Sequence, residues 1–179
     1  KRAWAAQIKV LEKLINICEE NEITYFADYG TLLGAVRHDG FVPWDDDIDI
    51  CLKRKDYMKL LQVLIDDAPE GYTLNSCYNN STHSQPHACF ANAASLPLSE
   101  EKIREFYGCP YVVGIDIYPL DWIPNDEDDK ELQIAMYNVL YDAANRFDEL
   151  KQTGELYKFI PQIEQIFSTT LQLDETLKV

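Results

Sequence analysis

The sequence predicts an α+β domain, an α/β mixed sheet flanked by helices. Three observations carry this. Stretches with apolar residues every three to four positions alternate along the chain with short stretches of period two. The length, 179 residues, suits one compact domain over residues 1–179 rather than two. Hydrophobic residues make up 46% of the chain, enough to fill a core between sheet and helices.

The elements follow in order. Residues 2 to about 20 form a helix, with Ile8, Leu11, Leu14, Ile15 and Cys18 at helical spacing and Glu12, Lys13, Glu19 and Glu20 on the wet side. Residues 24–28 are a strand that ends at Gly30, and residues 31–38 a short helix. A turn with Pro43 spans 41–44, and residues 47–52 alternate strictly, as a strand does. An amphipathic helix covers 56–67, closed by Pro69 and Gly71. Weaker strands are read at 72–78 and 87–93, with a polar loop at 79–86 between them. A short helix lies within 97–107 and a strand at 111–118. The acid-rich stretch 125–129 opens a long helix to about residue 150, and a last helix runs from about 161 to 167.

Composition narrows the function. A formal charge of -15 excludes a protein that coats nucleic acid, because neutralising phosphates takes a basic face. The five cysteines, Cys18, Cys51, Cys77, Cys89 and Cys109, contain no C-x-x-C pair and are odd in number. They read as reduced thiols of a cytoplasmic protein. No apolar run reaches the roughly 20 residues of a membrane span, and no signal peptide is visible, although the chain starts at Lys1 rather than Met.

The chemistry concentrates in PWDDDIDICLKR at 43–54. In a strand Asp45, Asp47, Asp49 and Cys51 point one way and Asp46, Ile48, Ile50 and Leu52 the other. The apolar set takes the core, which leaves Asp47 and Asp49 together on the open face. Two such charges about 4 Å apart repel by about 4 kcal/mol at an effective dielectric of about 20. A divalent cation removes that cost, and hard oxygen ligands favour Mg2+ or Mn2+. In GIDIYPLDWIP at 114–124, Asp116 sits between Ile115 and Ile117 and so also faces away from the core. It would complete a three-carboxylate metal site able to activate an attacking oxygen and neutralise a leaving phosphate. The plain alternative for an Asp-x-Asp pair is a solvated edge. A calcium loop is disfavoured, since Ile50 and Asp56 stand where such a loop needs Gly and Glu. The acids at 126–129 read as a helix N-terminus.

The stretch DYGTLLGAVRHDG at 28–40 supplies a second half. A Gly30–Thr31 turn into a helix presents backbone N–H groups and a hydroxyl, a phosphate cradle or simply a turn and cap. Arg37 either grips a phosphate in bidentate fashion or pairs with Asp45 or Asp46. His38 is a general base or a packing residue. Trp44 stacks on a nucleobase or a quaternary ammonium group, or serves as a hinge. Asp45 is an outer ligand or a partner of Arg37.

The run YGTLLGAVRHDGFVPWDDDIDICLKRKDY at 29–57 resembles the signature of the LicD family, which includes bacterial phosphocholine transferases and is related to fukutin-type proteins. GIDIYPLDWIP at 114–124 resembles its second signature. The resemblance implies a nucleotidyltransferase-like fold, with Gly30–Thr31 as the turn, Asp47 and Asp49 as the acidic strand, and Asp116 as the third acid. It implies transfer of phosphocholine from CDP-choline, a nucleotide-activated donor, to a glycan acceptor on teichoic acid or lipopolysaccharide. Family members continue past residue 179, so the chain reads as shortened at its C-terminus. The alanine-rich FANAAS at 90–95 departs from the longer or charged side chains expected there. A metal-dependent glycosyltransferase and a non-catalytic binding domain are the two alternative readings.

Overall fold

The structure, a computed structural model, describes residues 1–83 and 85–167. It divides into two compact units, Lys1–Asp121 and a second beginning at Trp122.

The first unit holds a five-stranded sheet in the order β1-β2-β5-β4-β3. Its strands are β1 (Phe26–Ala27), β2 (Asp49–Lys53), β3 (Thr73–Asn75), β4 (Ala88–Ala91) and β5 (Gly114–Leu120). Only β2 and β5 run parallel; the other neighbours are antiparallel. The helices are α1 (Arg2–Glu20), α2 (Tyr29–His38), α3 (Arg54–Asp66) and α4 (Glu100–Glu105). This is the mixed sheet flanked by helices that the sequence predicts.

Alternation along the strands builds the core. Ile50 and Leu52 of β2, Ile115 and Ile117 of β5, Ala88 and Phe90 of β4 and Leu74 of β3 are all buried on one face. Tyr57, Leu60, Leu61 and Leu64 of α3 and Ala6, Val10, Leu14, Ile17 and Cys18 of α1 join them in one cluster. The α1 stripe is rotated from the predicted one: Ile8 is 49% exposed, whereas Ala6 and Val10 are fully buried.

Many boundaries differ from the sequence reading: β5, for one, runs Gly114–Leu120 rather than 111–118, and α3 starts at Arg54 rather than 56. The acidic strand starts at Asp49 rather than at 47, because side chains of α1 take the preceding backbone acceptors. Trp4 Nε1 donates to the Asp45 carbonyl at 3.0 Å, and Gln7 Nε2 donates to the Asp46 carbonyl. Carbonyls satisfied in this way have no need of a ladder. Helix α2 starts at Tyr29, since Asp28 caps it by accepting from the Tyr29 N–H. Gly30 therefore lies in its first turn. The long helix after 125 is interrupted at Arg146, giving α5 (Glu127–Asn145) and α6 (Phe147–Thr153). The last helix, α7, extends N-terminally to Leu156 and runs as Leu156–Phe167.

In the second unit α5, α6 and α7 pack on one another around Ala143, Leu150 and Ile160. Asp126 caps α5 through bonds from the Asp128 and Asp129 N–H groups, so the acids there are a helix start, as read from sequence. All five cysteines are free thiols. No helix of the described residues is long and apolar enough to cross a membrane.

Candidate metal centre

The register of the two parallel strands creates the centre. Asp49 of β2 and Asp116 of β5 are direct Cα partners, and neighbours in register share a face. Cys89 of β4 is in turn the partner of Asp116, and Cys51 of β2 the partner of Tyr118. The face opposite the core thus carries Asp49, Asp116, Cys89, Cys51 and Tyr118. The Asp116 N–H donates to the Ile48 carbonyl at 3.0 Å, and the Asp28 N–H to the Asp49 carbonyl at 3.1 Å. These bonds lock both strand starts at the height of the acids.

Asp47 precedes the strand, in the loop pinned by Trp4 and Gln7. There strand alternation does not apply. Asp46, which alternation predicts on the core side, instead joins Asp45 and Asp47: these three carboxylates each offer an oxygen within 4.8 Å of the others. Among the described residues this trio is the group tight enough to hold a divalent metal ion as it stands. Asp47, Asp49 and Asp116, the trio expected from sequence, do not gather that tightly, although the charge of Asp116 acts on both Asp47 and Asp49.

The electrostatics tie the acids together. Burial pushes the Asp47 carboxyl above its ordinary range, helped by a hydrogen bond with Asp45 and by the charges of Asp45, Asp46 and Asp116. Asp49, 7% exposed, is pushed up to about 6, first by burial and then by the charges of Asp47, Asp116, Asp45 and Asp28. Every charge acting on these two groups is another carboxylate. That is an oxygen-donor set short of a cation, and a divalent ion fits it.

The second half behaves differently from the sequence expectation. The Thr31 hydroxyl accepts from the Asp49 N–H at 2.9 Å, so its acceptor side holds the acidic strand in place. A Cβ at Gly30 would collide with the Asp45 carboxylate, so Asp45 fills the close approach that this glycine permits. Arg37 stands in the last turn of α2 and, among the described residues, forms no ion pair with Asp45 or Asp46. The His38 ring meets the Trp44 indole edge-on, with centroids 6.2 Å apart, and Trp44 is 84% exposed. Arg54, at the start of α3, is bound to Asp121 by two hydrogen bonds.

The sequence reading missed His87 and Tyr118. His87 Nε2 lies 3.6 Å from Asp116 Oδ2, and its ring packs on Tyr118 with centroids 4.7 Å apart. Burial, then the charges of Asp49 and Asp116, push the Tyr118 hydroxyl up to about 12, which keeps it an O–H donor facing the acids. Only the pairing of β4 with β5 brings His87 here. A period-two count from Asp116 would have found Tyr118.

Comparison with known proteins gives three matches of note. Residues 22–98 match the family model described as LicD/FKTN/FKRP, nucleotidyltransferase domain. Over 119 residues the chain is 38% identical to the lipopolysaccharide cholinephosphotransferase LicD of Haemophilus influenzae, a match covering 66% of this chain and 43% of that protein. Over 56 residues it is 46% identical to an uncharacterized protein of Rickettsia prowazekii, covering 31% of this chain and 21% of that one. The chain thus spans less than half the length of these relatives.

Proposed function

The chain belongs to the LicD family, and on that premise we propose that it is a divalent-metal-dependent transferase. It moves a phospho-substituent, foremost phosphocholine from CDP-choline, onto a glycan hydroxyl at the cell surface. The observation that carries the reading is the register of Asp49 with Asp116 on parallel strands beside Asp47. The curated Haemophilus influenzae relative, named a cholinephosphotransferase, supports choline as the first cargo to test.

Asp47, Asp49 and Asp116 hold the ion, Mg2+ or Mn2+, and Asp45 supports it from beside Gly30. When bound, such an ion neutralises charge on the donor phosphates and on the departing nucleotide. The residues of the chain do the rest by positioning. Thr31 fixes the Asp49 backbone, and Tyr118 offers a proton-bearing oxygen to a phosphate oxygen. Arg37, at the end of α2 and in no ion pair among the described residues, pairs with donor phosphate, and Trp44 with His38 forms an exposed aromatic wall for the donor's head group. In the reaction the glycan hydroxyl oxygen would form a bond to the phosphorus of phosphocholine and give up its proton to a carboxylate of the site, while the bond from that phosphorus to the CMP oxygen breaks and CMP leaves with the electron pair.

The test is a donor panel with Mg2+: CDP-choline and other CDP-alcohols against UDP- and GDP-sugars, read as released nucleotide. The reading expects CMP release from a CDP-alcohol, abolished by EDTA and by Asp49→Ala. Release confined to sugar nucleotides would make the protein a glycosyltransferase. Turnover indifferent to Asp49→Ala would remove the carboxylates from the mechanism.

A further inference from the structure

Where β3 begins and β4 ends, the sheet gives onto a cavity of about 440 Å3. That volume falls in the range of small-molecule sites, about 300–1,000 Å3. Its wall includes Tyr72, Thr73, Asn92, Ser95, Ser99 and Lys102. Asn92 is fully buried, and it is tied to Val113 twice: its N–H donates to the Val113 carbonyl at 3.1 Å, and its Oδ1 accepts from the Val113 N–H at 3.0 Å. These bonds fix the amide, so Nδ2 is the donor left over, and among the described residues it has no hydrogen-bond partner. An unpaired buried donor costs about 1–3 kcal/mol. A ligand oxygen seated in the cavity would relieve it.

The rest of the wall identifies the ligand class. The Thr73 hydroxyl donates to the Ala93 carbonyl at 3.1 Å, which leaves its lone pairs as acceptors. Ser99 Oγ accepts from the Lys102 N–H at 3.1 Å, which leaves its O–H as a donor. Lys102 is the ionised side chain of the wall, and its ammonium is already drawn to Glu105 at 3.5 Å and to the rings of Tyr72 and Phe106. The other lining groups are uncharged. Mixed donors and acceptors among short apolar side chains match a saccharide, which carries hydroxyls and C–H faces together. We propose that this cavity holds a saccharide unit of the glycan acceptor, with Asn92 Nδ2 donating to a sugar oxygen. The inference rests on the transferase reading above and gives its acceptor a place. By register Thr73, Ala91 and Cys89 share a sheet face with Asp116, and Asn92 stands three residues beyond Cys89, about 10 Å along the strand. An oligomeric glycan held at Asn92 can span that interval to the acids.

The test reads binding without turnover. The full chain, labelled with 15N, is titrated with glucose, galactose and N-acetylglucosamine in EDTA and without nucleotide, and in a separate arm with inorganic phosphate. The expected result is a saturable shift of the Asn92 side-chain NH2 resonances with at least one sugar. Ala94→Trp, which sets a ring into the cavity from an exposed position, should weaken that sugar about tenfold or more. Sugars that leave the Asn92 resonances unmoved, or binding that Ala94→Trp does not weaken, overturn the inference. So does phosphate moving these resonances while the sugars do not. Any of these results leaves the transferase reading to the donor panel. Sugar binding at Asn92 in a protein that releases no nucleotide from any donor upholds the cavity as a saccharide site and overturns the transferase reading instead.

Discussion

Ile115 and Ile117 on β5 are fully buried, while Asp116 between them stands on the opposite face with its side chain 32% exposed beside His87. The same holds on β2, where Ile50 and Leu52 enter the core and Asp49 lies across from Asp116. One backbone thus carries two surfaces with opposed demands. The core face gains stability from every methylene it removes from water. The open face gathers acids that repel one another and, without a cation, weaken the fold that holds them. A surface that costs stability and is still built with such register is a functional surface.

The sharpest way to break the comparison is to neutralise one acid. Asp49→Asn and Asp116→Asn should each lower turnover about a thousandfold or more, about 4 kcal/mol of barrier. Their metal-free thermal melts should be unchanged or higher, because one repelling charge is gone. Nucleotide release and melting curves on the same samples check both halves. The mirror experiment is Ile117→Ala on the other face. It should cost about 3 kcal/mol in urea unfolding through the cavity it opens, with activity per folded molecule retained.

Acidity sharpens the contrast further. Asp49 has a folded pKa of about 6, above its ordinary 3.8, so the native state binds the proton more tightly than the unfolded chain. Its contribution is therefore fully present below about pH 4 and is lost as pH rises through about 6. The metal-free protein should lose up to about 3 kcal/mol of stability from this group over that window. Saturating Mg2+ should flatten the dependence. Urea midpoints from pH 4 to 7.5, with and without Mg2+, measure it. The smallest effect belongs to Gly30→Ala, which pushes the Asp45 carboxylate aside. Mn2+ affinity should weaken by about threefold to tenfold, roughly 1 kcal/mol, in a calorimetric titration.

Much of this was legible in the chain itself. Ile48, Ile50 and Leu52 at period two mark a core face, and that alone sends Asp49 to the other side. Ile115 and Ile117 do the same for Asp116. The pattern breaks down for Asp45, Asp46 and Asp47, whose backbone is held by Trp4 and Gln7 from the first helix. Such long-range bonds leave no periodic trace in sequence, so Asp46 is read onto the wrong side. His87 is hidden for a related reason: which strand lies beside β5 is decided by topology, and alternation says nothing about it. The break at Arg146, whose backbone leaves the helix at φ -103° and ψ 14°, has no mark in the helix periodicity.

The central claim is that the ion sits between the parallel strands, with Asp47 completing its shell. The competing position is the loop trio of Asp45, Asp46 and Asp47, which shares that residue. Anomalous diffraction from a crystal soaked in Mn2+ separates them directly. The account predicts a peak within bonding distance of both Asp49 and Asp116. A peak held by Asp45, Asp46 and Asp47 alone, with Asp49 and Asp116 uncoordinated, would contradict it.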